Sequence, residues 1–141
     1  MQYTYMYKSN RLKRFYIMVN DKPWYISIYL KRDVNNIYDV AQALLSIGIS
    51  RDNLKIAMGN LTSEKMNNGV TFSSAIHRET ISIWGFTTSP SEAFNLYCHE
   101  MHHISVQIAS INGLDLEGED VCYINGDIAQ YLYPLCRPLI I

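Results

Sequence analysis

Apolar and polar positions fall in blocks along this chain, with strand-like blocks first and helix-like blocks last. Phe15 to Asn20 and Trp24 to Lys31 are aromatic and β-branched runs split by Asp21-Lys22-Pro23, which predicts a β-hairpin. From Ile37 to Ile47 the apolar residues Ile37, Val40, Ala41, Leu44 and Leu45 keep helical spacing, and Gly48 supplies a stop. Leu54 to Met58 reads as a short strand. Gly59 to Gly69, with Asn60, Ser63, Asn67 and Asn68, reads as a loop. Val70 to Ile76 and Glu79 to Phe86 are rich in Thr, Ile, Ser and Trp and read as two more strands.

The pattern changes at Ser89. Ser89 suits a helix cap, Pro90 the first helical position, and Glu92 completes a capping box. A helix is expected from there to about Asn112, stopped by Gly113. After a connector, Leu114 to Gly118, a second helix is expected from Glu119 to Tyr133, ended by Pro134. There are no repeats or linkers. The order implies one α+β domain over 1–141: a small mixed or antiparallel sheet with one N-terminal helix, then two C-terminal helices.

Composition narrows the function. With 141 residues, 48% apolar and 18% charged, the chain can build one globular core. A net charge of −1 gives no electrostatic footprint for nucleic acid or an anionic membrane. No apolar stretch approaches a membrane span. The basic cluster Lys8, Arg11, Lys13 and Arg14 precedes only a short apolar run with no small-residue cleavage site, so a cytoplasmic location is expected. Cys98, Cys122 and Cys136 lack C-x-x-C spacing and read as reduced, buried thiols. The eleven Tyr read mostly as half-buried strand residues.

The chemistry lies on the first long helix. Phe94, Tyr97, Met101, Ile104, Ile108 and Ile111 form its apolar stripe. His99 and His103 fall nearly opposite, about 40° apart on the helix, so both rings can reach one metal ion. Glu100 lies between the two faces, placed to take a proton from a water that the metal activates. A lone His is usually structural; two on one polar face beside a carboxylate point to metal. His102 projects about 100° off the pair and reads as a surface or supporting residue.

A catalytic zinc takes three protein ligands and keeps an open position. On the second helix Val121, Ile124, Ile128 and Leu132 form the apolar stripe, with Glu119, Tyr123, Gly126 and Gln130 opposite. Gly126 would let the two helices approach, and a hairpin after Gly113 would bring Glu119 near the histidines. Asp115, Glu117 and Asp120 compete with it, and each is equally accounted for as a solvated acid near a helix N-terminus. Asp127 is a candidate to orient a ligand histidine. Tyr123 and His102 are candidates to stabilise a transition state, although Tyr123 is more simply a packing residue. Just before the first helix, Thr80 to Phe86 would serve as an edge strand for an extended peptide, with Thr80, Ser82 and Trp84 available and Ile81 and Ile83 inward.

His99-Glu100-Met101-His102-His103 is an H-E-x-x-H element, and Glu119-Asp120-Val121-Cys122-Tyr123-Ile124-Asn125-Gly126 follows it. Together they resemble the small zincin-like peptidases of phage and prophage genomes, which pair H-E-x-x-H with a downstream E-x-x-A-Y-x-x-G. Glu119, Tyr123 and Gly126 match in register, and Cys122 stands where those proteins have Ala. The likeness covers the last third of the chain. It implies a gluzincin-type site with His99, His103 and Glu119 as ligands of one zinc per chain and Glu100 as base. The expected function is therefore zinc-dependent hydrolysis of a peptide or other amide by a phage-type enzyme. The competing expectation is an inert metal-binding scaffold acting as an interaction module of a phage or mobile element.

Overall fold

Asn20 and Asp21 both adopt left-handed backbone, with φ of 53° and 64°, and close the first hairpin as a two-residue turn. Such turns match the natural twist of paired strands. The computed structural model describes residues 11–30, 37–62, 69–85 and 89–140. In them the hairpin strands β1 (Arg11–Val19) and β2 (Lys22–Leu30) are followed by α1 (Ile37–Ser46) and α2 (Arg51–Thr62). Then come β3 (Gly69–Ser74), β4 (Glu79–Trp84), α3 (Pro90–Ile111) and α4 (Glu119–Ile140). The α+β class expected from the sequence holds.

The sheet order is β1-β2-β4-β3. β1 and β3 run antiparallel to their neighbours, whereas β2 and β4 are parallel and pair from Tyr25 with Glu79 to Leu30 with Trp84. Alternating side chains serve two cores. Phe15, Ile17, Val19, Trp24, Ile26, Ile28, Leu30 and Trp84 pack with α3 and α4. On the other face Tyr29, Ile81 and Ile83 pack with α1 and α2, and Val70 and Phe72 lie against them. Of the apolar stripe on α3, Tyr97, Ile104 and Ile108 are buried, while Phe94 and Ile111 are exposed. On α4, Val121, Ile124, Ile128 and Leu132 are all buried.

Four expectations are corrected. Leu54 to Met58 is helical, inside α2, and so is Gly59 to Thr62 of the expected loop. Ser50 caps that helix, its hydroxyl accepting from the Asn53 amide at 3.1 Å, and Ala57 and Leu61 bury one face. Residues 63–68, like Lys31 and Phe86, lie outside the described residues. Second, α4 does not end at Pro134. Pro134 is exposed, and Leu132 and Cys136 on either side of it are buried, so packing carries the helix past the proline. Third, Thr80, Ser82 and Trp84 line no edge: β4 is paired on both sides and all three are fully buried. The edge strand beside α3 is β3. Fourth, Cys98 and Cys122 are exposed, and only Cys136 is buried.

Burial pushes the Cys136 thiol up to about 11. In the native protein a thiol reagent at neutral pH should therefore titrate two cysteines quickly and the third only on unfolding. Three fast thiols would refute that placement.

Arg78, itself left-handed at φ 49°, ties the turn between β3 and β4 to the first hairpin and to the end of α3. Its Nη2 donates to the carbonyls of Val19 (2.7 Å) and Lys22 (3.1 Å), its Nε to Pro23 (3.1 Å), and its Nη1 to Asn112 Oδ1 (3.4 Å). Arg78→Ala should cost about 1–3 kcal/mol, seen as a lower urea midpoint at unchanged slope. No helix among the described residues is long and apolar enough to cross a membrane.

Candidate metal centre on helix α3

Ser89 starts α3 as its composition predicts, its hydroxyl accepting from the Glu92 amide at 3.2 Å with Pro90 in the first turn. Asn112 and Gly113 (φ 69°) stop it. The helix presents two adjacent faces near strand β3. Glu100 and Gln107, two turns apart, meet the strand, and His99 and His103 look outward beside them.

The two imidazoles converge. His99 Nε2 and His103 Nε2 stand 3.1 Å apart, with ring planes at 82°. Two nitrogens bound to one tetrahedral zinc at its usual bond lengths would stand about 3.3 Å apart. The pair thus sits at chelating separation. His99, Glu100 and His103 place ligand atoms within 4.8 Å of one another, and they are the one such group of His, Cys, Asp or Glu among the described residues. The donor set suits zinc, and equally manganese, cobalt or iron. His103 is held below the usual histidine pKa by partial burial, then by the charges of His99 and His102. That favours the neutral ring, the form that binds metal.

Glu100 is 4% exposed. Its carboxylate lies directly against Gly69, the first residue of β3, where any Cβ would overlap it. Burial raises its pKa, opposed by the charge of His99 and by a hydrogen bond with Thr71. Two rows of hydroxyls run under α3. In one, Trp84 Nε1 donates to Ser82 Oγ at 2.8 Å, and Ser82 Oγ lies 2.7 Å from Thr71 Oγ1, the neighbour of Glu100. In the other, Trp24 Nε1 donates to Thr80 Oγ1 at 2.9 Å, which lies 2.7 Å from Ser73 Oγ. Ser73 then donates to Gln107 Oε1 at 2.7 Å, and Gln107 Nε2 donates to the Thr71 carbonyl at 3.0 Å.

The structure does not bring Glu119 to the histidines. α3 continues two turns past His103 before the chain reverses, and Ser105 Oγ donates to Asn125 Oδ1 at 2.9 Å across the helix pair. In that antiparallel register Glu119 lies beside the last turn of α3, about 12 Å along the axis from His103. Gly126 makes no close approach. Tyr123 is 68% exposed, so it neither packs nor joins the site. Asp127 is exposed and lines a cleft with Tyr16, Met18 and Tyr131, beside β1 rather than the histidines. Asp120 and Asp115 accept from the amides of Asp115 and Glu117, each at 3.0 Å, and so shape the connector. His102 is exposed and reaches the site only through its charge.

Three residues of this centre were not legible as site residues: Gly69, Thr71 and Gln107. A glycine opening a strand is a sign of close backbone approach, and Gly69 carried that sign. No protein-family model matches the chain, and no curated protein or solved structure is significantly similar to it.

Proposed function

We propose that the chain is a metal-dependent hydrolase of the zincin kind, acting on a peptide or another amide. The convergence of His99 and His103 at 3.1 Å beside the buried carboxylate of Glu100 carries this reading. His99 and His103 would supply two of the three protein ligands a catalytic zinc takes, with zinc the first choice for imidazole ligands. A bound zinc would lower the pKa of a water and polarise the carbonyl under attack. Glu100 would accept a proton from a water beside the histidines and return it to the leaving amine. Burial has raised its pKa, which brings a carboxylate closer to the range where it both accepts and returns a proton. Glu119 is not proposed as a ligand, because the overrun of α3 holds it at the wrong level.

The test is metal content of protein purified without chelator. About one zinc per chain is expected, lost in His103→Ala and kept in Glu119→Ala. Wild-type protein that neither carries nor takes up zinc would overturn the reading. An inert metal-binding scaffold is the second reading, favoured by one observation: Glu100 also ties α3 to β3 through Gly69 and Thr71. It predicts bound zinc with no hydrolysis of any peptide.

A further inference from the structure

We infer that the outer edge of β1 is the seam of a homodimer, paired antiparallel with the same strand of a second copy of this chain. Nothing in it depends on the hydrolase reading. The sheet has two edges, β1 and β3, and the phase of the hydrogen bonds decides what each offers. The Tyr25 N–H is spent on the Arg78 carbonyl at 2.9 Å, on the β4 side. Tyr25 and, by alternation, Pro23 and Ser27 therefore turn their backbone groups away from β1. Their partners in β1, Tyr16, Met18 and Arg14, turn theirs outward, where no described strand receives them.

The same alternation, carried through β4, turns Thr71 and Ser73 outward on β3. That edge is closed by α3. Gln107 Nε2 donates to the Thr71 carbonyl at 3.0 Å, Gln107 Oε1 accepts from Ser73 Oγ at 2.7 Å, and Glu100 lies against Gly69. β1 has no such cover among the described residues. Its stretch Phe15-Tyr16-Ile17-Met18-Val19 carries neither charge nor proline, two devices that commonly blunt an edge. The irregularity in its ladder comes earlier, between Arg11 and Lys13. Tyr16 and Met18 are 49% and 58% exposed. Beside them runs the cleft lined by Gln130, Tyr131 and Pro134 of α4.

Charge selects the occupant. Any extended strand can use the outward backbone groups, but a second copy also matches the ends. With a two-fold axis at Ile17, Tyr16 lies opposite Met18 of the second copy, and Lys13 lies opposite Asp21 of the second copy. Tyr16 and Met18 then exchange about four backbone hydrogen bonds across the seam. Each aromatic ring meets a thioether, and an opposite-charge pair closes each end. A parallel pairing in register would instead set Lys13 and Arg14 against their own copies. The antiparallel seam is one patch used twice, as a two-fold dimer requires.

Sedimentation equilibrium of the full chain, from about 1 µM to 0.1 mM, reads the association directly. The wild type should be dimeric. Tyr16→Pro removes one outward N–H and spares the ladder with β2, because that N–H takes no part in it. Met18→Lys puts like charges beside the seam. Each should raise the dissociation constant about tenfold or more with an unchanged circular dichroism spectrum. Lys13→Glu should weaken the dimer about tenfold at low salt and less at high salt. A monomeric wild type would overturn the inference, as would a dimer indifferent to both Tyr16→Pro and Met18→Lys. If the proline variant fails to fold, Met18→Lys decides. A monomer that binds an added strand-forming peptide along β1 would give the edge to another chain and equally overturn it. A dimer unmoved by Lys13→Glu at low salt would overturn the register with Ile17 on the axis.

Discussion

Glu100→Gln is expected to leave zinc bound and the fold intact while lowering hydrolysis about 10²–10⁴-fold, the usual worth of a positioned general base. The substitution is well suited to this site for a structural reason. A glutamine matches the buried carboxylate in size, and Gln107 of the same helix already meets β3 with its amide. The isosteric amide also removes a buried ionisable group without leaving a cavity. Stability should therefore hold or rise slightly, and the loss of rate will not be a loss of fold. Zinc content and thermal midpoint, measured beside the peptide assay, make that separation. Full activity in Glu100→Gln would remove Glu100 from the mechanism.

Gly69→Ala should disable the site from the opposite side. Any Cβ there overlaps the Glu100 carboxylate. The obstructed group is the end of a flexible side chain, so the carboxylate swings aside and the protein still folds. A stability cost of about 1–3 kcal/mol is expected from the crowding and from the hydrogen bond with Thr71 that is lost. On the proposed mechanism the loss of rate is larger, about 10²-fold or more, because Glu100 would no longer meet its water. His99 and His103 stand outside the crowded space, so zinc binding should persist. Combining Gly69→Ala with Glu100→Ala should recover most of the stability, since the two changes act on one contact and will not add. Additive costs in the double variant would show that Gly69 is needed for something other than room for Glu100.

The caps of α3 were legible in the sequence, whereas the end of α4, where packing overrides Pro134, and the pairings between distant segments were not. Ser89, Pro90 and Gly113 bounded α3 because caps act within a few residues. The histidine pair was legible for the same reason: helical spacing alone puts both rings on one side. Ser50 was also a local signal, but Leu54 to Met58 resembled a strand until the helical spacing of Leu54, Ala57 and Leu61 was joined to that cap. Which strand forms the edge depends on β2 choosing β4 as its parallel neighbour, and nothing near Thr80 encodes that choice. Glu119 matched by spacing in sequence. Its failure comes from the two turns of α3 beyond His103, whose length sets the register of the helix pair.

The parallel pairing of β2 with β4 has a consequence for how the chain survives its own folding. The second neighbour of β2 is β4, which comes two helices and one strand later among the described elements. Contacts so distant in sequence form slowly. Until then one side of Trp24-Tyr25-Ile26-Ser27-Ile28-Tyr29-Leu30 is unpaired, and that stretch has strong strand propensity, no charge and no proline. It is the segment through which newly made copies would stick to one another. The Glu100 carboxylate waits on the same event, because β3, which shelters it, joins the sheet only through β4. Covering the open side of β2 and closing the space around Glu100 both depend on β4 taking its place between β2 and β3.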